Sequence, residues 1–370
     1  MKTLLCSILL SSVCAFAGVS VSAPANGAST SSPVHFVATA STGCSRGVGG
    51  MGLYSASGVL AYTAPGSRLN TYLPLSAGTH HAVVQEWDRC GGSTFRHITI
   101  RVFGGSPPST VPPSRHVVVV LEENHSYSSV IGNPQMPYFN SLASTYALAT
   151  QYYANAHPSI GNYFMLTAGQ LITGNDGYCG TFGQDNIVRH LLTGGKTWKA
   201  YVESLPYTGY TGCDVYPYAK HHNPLAYFTD VAWSSQKYNL VPFTQFGNDR
   251  VNNALPEFSF VVPNLLHDAH DGTLSAADAW MKANIAPLIS NAAFQSDGIL
   301  IILFDESFSS DVQHGGGHVA AVVVGPRVKR GYRSAVFYQH QSTLKTVMQA
   351  LGLPNFPGVA PGATPMNDMF

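Results

Sequence analysis

The sequence predicts two architectures in succession: an all-β sandwich over about residues 18–104, then an α/β layered domain over about 115–370, with a mostly parallel sheet and helices on both faces. Three observations predict this. Short runs early in the chain, "PVHFVATA", "GVGGMGLYSASGVLAYTA", "NTYLPLSAGTHHAVVQEWDR" and "TFRHITIRVFG", alternate apolar and polar residues between Gly and Ser turn clusters, as strands with one wet face do. Later runs, "HVVVVLE", "FSFVVPN", "GILIILFDE" and "HVAAVVVGP", are apolar at successive positions, as strands covered on both faces are. Between the two sets lies "GGSPPSTVPPS", whose proline, serine and glycine content makes an extended spacer and sets a linker at 105–114.

Taken in order, the helix-like segments of the second part are "MPYFNSLASTYALA", "NYFMLTAGQL", "NIVRHLLTGGKTWKAYVES", "LSAADAWMKANIAPLISNAAF" and "QSTLKTVMQALG". Their alternation with apolar strands is the pattern of an α/β layer, in which ligands sit beyond the carboxyl ends of strands.

The opening "MKTLLCSILLSSVCAFAGVS" has one Lys, an apolar stretch and the small triplet ending at Ala17, and so reads as a signal peptide over residues 1–17, with Ala23 as a second cleavage position. Later runs fall short of the roughly 20 apolar residues that span a bilayer, so the expected product is secreted or periplasmic. Cleavage leaves Cys44, Cys90, Cys179 and Cys213, an even set that favours disulfides in an oxidising compartment, paired within each half of the chain. Charged residues are 10% of the chain, 19 of each sign, which argues against a nucleic-acid partner and for a small one.

Against that sparse charge, the strand ends stand out. "VVVVLEENHSY" runs into Glu122, Glu123, Asn124 and His125; "FVVPNLLHDAHDG" ends in His267, Asp268, His270 and Asp271; "ILIILFDES" ends in Asp305 and Glu306; His314 and His318 precede the last strand. One such cluster is ordinarily a solvated loop end, but four in one lightly charged domain point to convergence on a divalent metal. Ser159 stands just before a helical pattern with Asn162 three residues on. It is either a plain N-cap or a hydroxyl placed where helix N–H groups steady an anion.

These motifs resemble the phosphoesterase family of bacterial phospholipases C and secreted acid phosphatases, within the alkaline phosphatase superfamily. "EENHSY" is similar to the family's first metal motif, which implies Glu123 and Asn124 as ligands; "FDES" implies Asp305 and Glu306 beside them. "HPSIGNY" resembles the Ser/Thr-x-x-Asn turn of related phosphodiesterases, implying Ser159 as nucleophile and Asn162 as a donor to a phosphoryl oxygen. "GGGHVAAVVVGP" points to His318 as a ligand approached through its glycines, and "NLLHDAHDG" to Asp268, with His270 or Asp271. "YAKHHNPLAYF" places His222, with Lys220 or His221, near substrate. Tyr127 and Tyr163 are candidate pocket walls. The segment "LSAGTHHAVVQEWDRCGGSTFRHITIRV" resembles the last strands of bacterial immunoglobulin-like domains.

The implied activity is metal-dependent hydrolysis of a small phosphate ester through a phosphoserine, of acid phosphatase type, with phospholipase C or another phosphodiesterase as the near alternative. One or two cations are implied. The oxygen set of Glu123, Asn124, Asp305 and Glu306 suits Mg, Mn or Ca, whereas Asp268, His270 and His318 suit Zn or Fe. The rival of another class is a catalytically inactive surface-binding protein whose β-sandwich contacts a surface polymer.

Overall fold

The computed structural model describes residues 18–56, 58–73, 75, 78–103 and 111–370. The expected leader and most of the expected linker lie outside the described residues.

Strands β1 (Gly18–Ala23), β2 (Ser29–Ser31), β3 (Val34–Ser41), β4 (Val48–Ala56), β5 (Val59–Pro65), β6 (Arg68–Leu73), β7 (Gly78–Asp88) and β8 (Ser93–Phe103) build the first part. They form a three-stranded sheet, β1-β3-β6, and a five-stranded sheet, β2-β8-β7-β4-β5. Alternation decides the faces: along β6 every second residue is buried, and Phe36, Leu53, Leu69, Val84 and Ile100 of the two sheets share one buried cluster. A disulfide joins Cys44 to Cys90.

The second part holds β9 (Val117–Glu122), β10 (Ala147–Ala149), β11 (Trp198–Val202), β12 (Leu240–Pro242), β13 (Phe258–Val262), β14 (Ile299–Phe304), β15 (Ala321–Val324) and β16 (Tyr332–Ser334). They make one sheet in the order β12-β11-β13-β9-β14-β15-β10-β16. The run from β12 to β14 is parallel, and β15 returns antiparallel to β14. All residues of β9, β13 and β14 are buried. Since successive side chains point to opposite faces, both faces are covered.

Two sequence expectations change here. "TWKAYVES" was expected to continue a helix, but the helix stops at Thr193, before Gly194 and Gly195, and Trp198–Val202 is β11. Its short apolar run pairs between β12 and β13, where backbone bonding on both sides outweighs helix propensity. Similarly, Ala147–Ala149 leaves the predicted helix as β10, held between β15 and β16.

The strand-rich part is docked on the α/β part. Leu171 N donates to Leu60 O at 2.9 Å, and Ala156, Met165, Leu171 and Val359 belong to the same buried cluster as the core of the two N-terminal sheets. Val111, at the end of the expected linker, is buried in the large core of the second part.

Candidate functional site

Parallel register sets the centre. Phe304 of β14 pairs with Glu122 of β9, so the next residues, Asp305 and Glu123, leave the sheet side by side. Asn124 has φ 55°, a left-handed turn that asparagine adopts more readily than most residues. Its N–H thereby reaches Asp305 Oδ1 at 3.1 Å. Glu123 N donates to Asp268 O at 2.7 Å, which ties the loop after β13 to the same place.

Ser159 is the first residue of the helix Ser159–Ala168, whose N-cap is Pro158. Its side chain caps nothing: Oγ donates to Glu123 Oε2 at 3.1 Å and lies 3.5 Å from Glu306 Oε1. The simple N-cap reading therefore fails. The helix terminus is also not fully free, because Ile160 N donates to Asp176 Oδ1 at 3.0 Å. A carboxylate thus already sits where an anionic oxygen would bind.

Asn162 is engaged differently from the expected phosphoryl donor. Its Oδ1 accepts from Asn155 N and Ala156 N at 2.9 and 3.1 Å, and its Nδ2 donates to Ala156 O at 2.8 Å and reaches Glu306 Oε2 at 3.3 Å. It holds the turn that delivers Ser159 and steadies Glu306.

His222 joins two acids rather than standing free for substrate. Nδ1 is 3.0 Å from Asp268 Oδ2, Nε2 is 3.2 Å from Glu123 Oε1, and the ring stacks on Tyr163 at 5.2 Å. Tyr163 in turn donates to Glu123 Oε1. His221 lies edge-on to His222 at 4.3 Å. Lys220 points elsewhere, donating to Cys179 O at 2.5 Å and sitting 4.4 Å above the Tyr227 ring; Cys179 is disulfide-bonded to Cys213.

Of the pair left open by sequence, His270 and Asp271 bond to each other at 2.8 Å at the exposed rim, and His270 N donates to Asp268 Oδ1 at 2.8 Å. His318 is not brought to the cluster. Its ring stacks on Tyr127 at 4.3 Å and Tyr153 at 4.8 Å, and Nε2 meets Thr150 O at 3.1 Å. The preceding glycines serve loop closure instead: a Cβ on Gly317 would fall 1.8 Å from Ser307 Oγ.

Sequence reasoning missed two histidines. His157 Nδ1 lies 2.9 Å from Glu306 Oε2 while its Nε2 meets Asp311 O at 3.0 Å. His340, fully buried, donates from Nε2 to Asp305 O at 2.5 Å and faces Tyr152 OH at 3.1 Å. The position of His157 two residues before Ser159 was the available signal. His340 had none beyond its place at a helix start.

The electrostatics are lopsided. Glu123, Asp268, Asp305 and Glu306 are buried, and no lysine or arginine is among the groups that act most strongly on them. Burial, then the neighbouring acids, pushes Glu123 and Asp305 well above the ordinary carboxylate range. Burial takes Asp268 up to about 7. In Glu306, burial outweighs the opposing bond from His157, leaving its pKa raised. Burial lowers His222 to about 3 and His340 to about 4, so both rings are neutral. Asp305 Oδ2 is buried with no hydrogen-bond partner among the described residues. Uncompensated acids of this kind are costly, and a hard divalent cation is the group their oxygen donors fit. Among the described residues, only Cys44, Asp88 and Cys90 bring three ligand-type atoms within 4.8 Å of one another, and those cysteines are bonded to each other. The acids around Ser159 are spread more widely, with the serine hydroxyl between them.

Comparison with known proteins places the chain in a family. The phosphoesterase family model matches residues 133–354. The chain belongs to the phosphoesterase family. It is 34% identical to a phosphatidylinositol-3-phosphatase of Mycobacterium tuberculosis over 72% of this chain and 86% of that protein. It is 31% identical to an acid phosphatase of Aspergillus fumigatus over 63% of this chain and 54% of that one, so it spans little more than half of the fungal relative. A lipoteichoic acid synthase from Listeria monocytogenes shares the fold, with TM-score 0.52 at 11% identity over 70% of this chain and 78% of that one. Phosphoesterase membership makes the chain a hydrolase of phosphoric esters and removes the inactive binding-protein reading. The family match begins beyond the strand-rich part, at residue 133.

Proposed function

We propose that this phosphoesterase is a secreted or periplasmic, metal-dependent phosphomonoesterase of acid phosphatase type, acting through Ser159. One observation carries the proposal: a buried serine hydroxyl at a helix N-terminus, bonded to Glu123 and facing Glu306. The acid phosphatase name of the Aspergillus relative supports monoesters, and the two disulfides support an oxidising compartment.

In this reading Glu123, Asn124, Asp305 and Glu306 would hold a divalent cation, which would screen the phosphoryl oxygens and lower the serine pKa. Ser159 Oγ bonds to phosphorus as the ester P–O bond breaks. The hydroxyl proton passes to a neighbouring carboxylate, and the alcohol leaves with a proton from solvent. Water then cleaves the phosphoserine, releasing phosphate and restoring the hydroxyl. His157 and Asn162 fix Glu306; His340 fixes the Asp305 backbone; His222 and Tyr163 orient Glu123. The division into an 18–104 strand domain, a 105–114 linker and a 115–370 catalytic domain belongs to the same reading.

The test is hydrolysis of a chromogenic phosphomonoester beside its diester analogue, with chelator and then metal add-back. Chelator-sensitive monoester turnover is the expected result. Diester preference would replace the acid phosphatase assignment with a phosphodiesterase, and chelator-resistant turnover would remove the metal.

A further inference from the structure

We infer that the N-terminal strands form one wall of a leaving-group subsite, built to take the apolar or aromatic alcohol portion of a phosphate ester. The inference rests on the phosphomonoesterase reading above and deepens it. Two cavities lie between the strand-rich part and the α/β part, of about 530 Å³ and about 100 Å³. Thr63 of β5 and His157 line both, so the two cavities adjoin at this pair; the larger is the groove meant below. A space of about 530 Å³ falls in the range of small-ligand sites, about 300–1,000 Å³.

His157 connects this groove to the chemistry. It stands two residues before Ser159, and its Nδ1 lies 2.9 Å from Glu306 Oε2, the acid whose other oxygen is 3.5 Å from Ser159 Oγ. His157 thus borders the groove on one side and contacts the acid beside Ser159 on the other, and in this inference the alcohol portion of an ester held at Ser159 extends past His157 into the groove. The wall opposite is donated by the sandwich: Trp87 of β7 and Ala64 of β5, with Val312 of the loop after β14 on the catalytic side. Trp87 packs close over Gly52, where a Cβ would meet the indole at 2.5 Å. The loop that carries Val312 is drawn against the sandwich by another glycine. A Cβ on Gly315 would fall 2.0 Å from Asn155 O and 2.8 Å from the Tyr62 ring.

The lining chemistry selects the occupant. Trp87, Ala64, Pro65 and Val312 present carbon, and Thr63 and Ser309 add hydroxyls. Among the described residues no lysine or arginine lines the groove, so a second phosphate is a poor fit and a ring or short alkyl group a good one. The family match begins at residue 133, outside the strands that supply this wall.

The test compares 1-naphthyl phosphate with glycerol 2-phosphate on the full-length enzyme and on two variants that fill the groove from opposite sides, Val312→Trp and Thr63→Trp. Val312 is 55% exposed, so its replacement spares the core. Each variant is expected to lower kcat/KM for naphthyl phosphate by about 10-fold or more, mainly through KM, and to leave glycerol 2-phosphate within about twofold. Equal losses on both esters, or no loss on either, would overturn the subsite while leaving the phosphatase intact. Failure of the unaltered enzyme on both esters would overturn the reading beneath it and the subsite together.

Discussion

Asp249, on the helix Thr244–Val251, and Asp305, just past the end of β14, are both buried acids, and they live in opposite chemical settings. Asp249 is 4% exposed and accepts from Lys199 Nζ at 2.6 Å, Tyr201 OH at 2.7 Å and Gln245 Nε2 at 2.8 Å. Burial alone would raise its pKa; those bonds outweigh it and hold the carboxyl below its ordinary range. Asp305 is fully buried among Glu123 and Glu306, with one oxygen lacking any partner, and its pKa is pushed well up by burial and by Glu306. An acid satisfied by the protein's own donors is part of the scaffold. An acid cluster left short of donors is what the proposed cation site requires.

The largest effect separates the two directly. Ser159→Ala should lower kcat/KM by on the order of 10⁴-fold or more, and Asp305→Asn should lower both turnover and bound cation. Asp249→Asn should leave turnover within about threefold. A Ser159→Ala enzyme with normal turnover would end the proposed nucleophile, and unchanged cation stoichiometry in Asp305→Asn would take that residue off the ligand list.

Next comes the pH dependence of stability without metal. An acid whose folded pKa is raised binds more protons folded than unfolded, so its contribution is complete below the unfolded pKa and is lost as pH rises toward the folded one. Asp268, raised from 3.8 to about 7, spans that window, with Glu123, Asp305 and Glu306 raised alongside. His222 and His340 act in the opposite sense, but only below their ordinary 6.5. Above that the acids decide the sign. The chelated protein should melt lower at pH 8 than at pH 6.5, by at least about 2–4 °C, which is roughly 1 kcal/mol for a domain of this size, and divalent cation should restore it. A melting temperature independent of pH and of chelator would show that the acids are satisfied within the protein.

How much of this was legible follows the same division. The runs "VVVVLEE" and "ILIILFDE" gave away β9 and β14 by their unbroken apolar character, and acids at several such strand ends in one lightly charged domain pointed to a site. Ser159 and Asp268 were legible from their place at element ends. The short strands β10, β12 and β16 were not, since three residues show no period. β11 looked helical because Trp198–Val202, with Lys199 among apolar residues, shows no regular alternation. His157 and His340 were hidden because their meaning lies in tertiary contacts: one turns onto Glu306 after Pro158, the other reaches Asp305 O from the far end of the chain. The wall that the sandwich lends to the groove was equally invisible, as each of its residues reads simply as a strand residue.

Asp249 gives the complementary stability test. With its partner Lys199 only 27% exposed at the side chain, Asp249→Ala leaves a half-buried ammonium and the Tyr201 hydroxyl without their acceptor, and should cost about 3 kcal/mol. Asp305→Ala, which relieves repulsion instead, should cost less in the chelated protein or stabilise it. If both substitutions destabilise equally in chelator, the contrast between scaffold acid and site acid fails.

The smallest expected effect concerns His318, the residue for which resemblance and geometry part. Resemblance implies a metal ligand; the structure gives an imidazole stacked on Tyr127 and Tyr153, with Nε2 on Thr150 O. Burial lowers its pKa, as suits a neutral ring packed among aromatics. Its backbone N–H donates to Asp311 Oδ2 at 3.0 Å, which fixes the chain just before β15 whatever the side chain is. His318→Gln retains a donor for Thr150 but gives up the stacking, worth about 1 kcal/mol. The variant should therefore melt slightly lower, bind cation with unchanged stoichiometry and keep kcat/KM within about twofold. A hundredfold loss of turnover accompanied by lost metal would place the imidazole in the site during catalysis, and would make the loop from Ser307 to His318 a moving part rather than a wall.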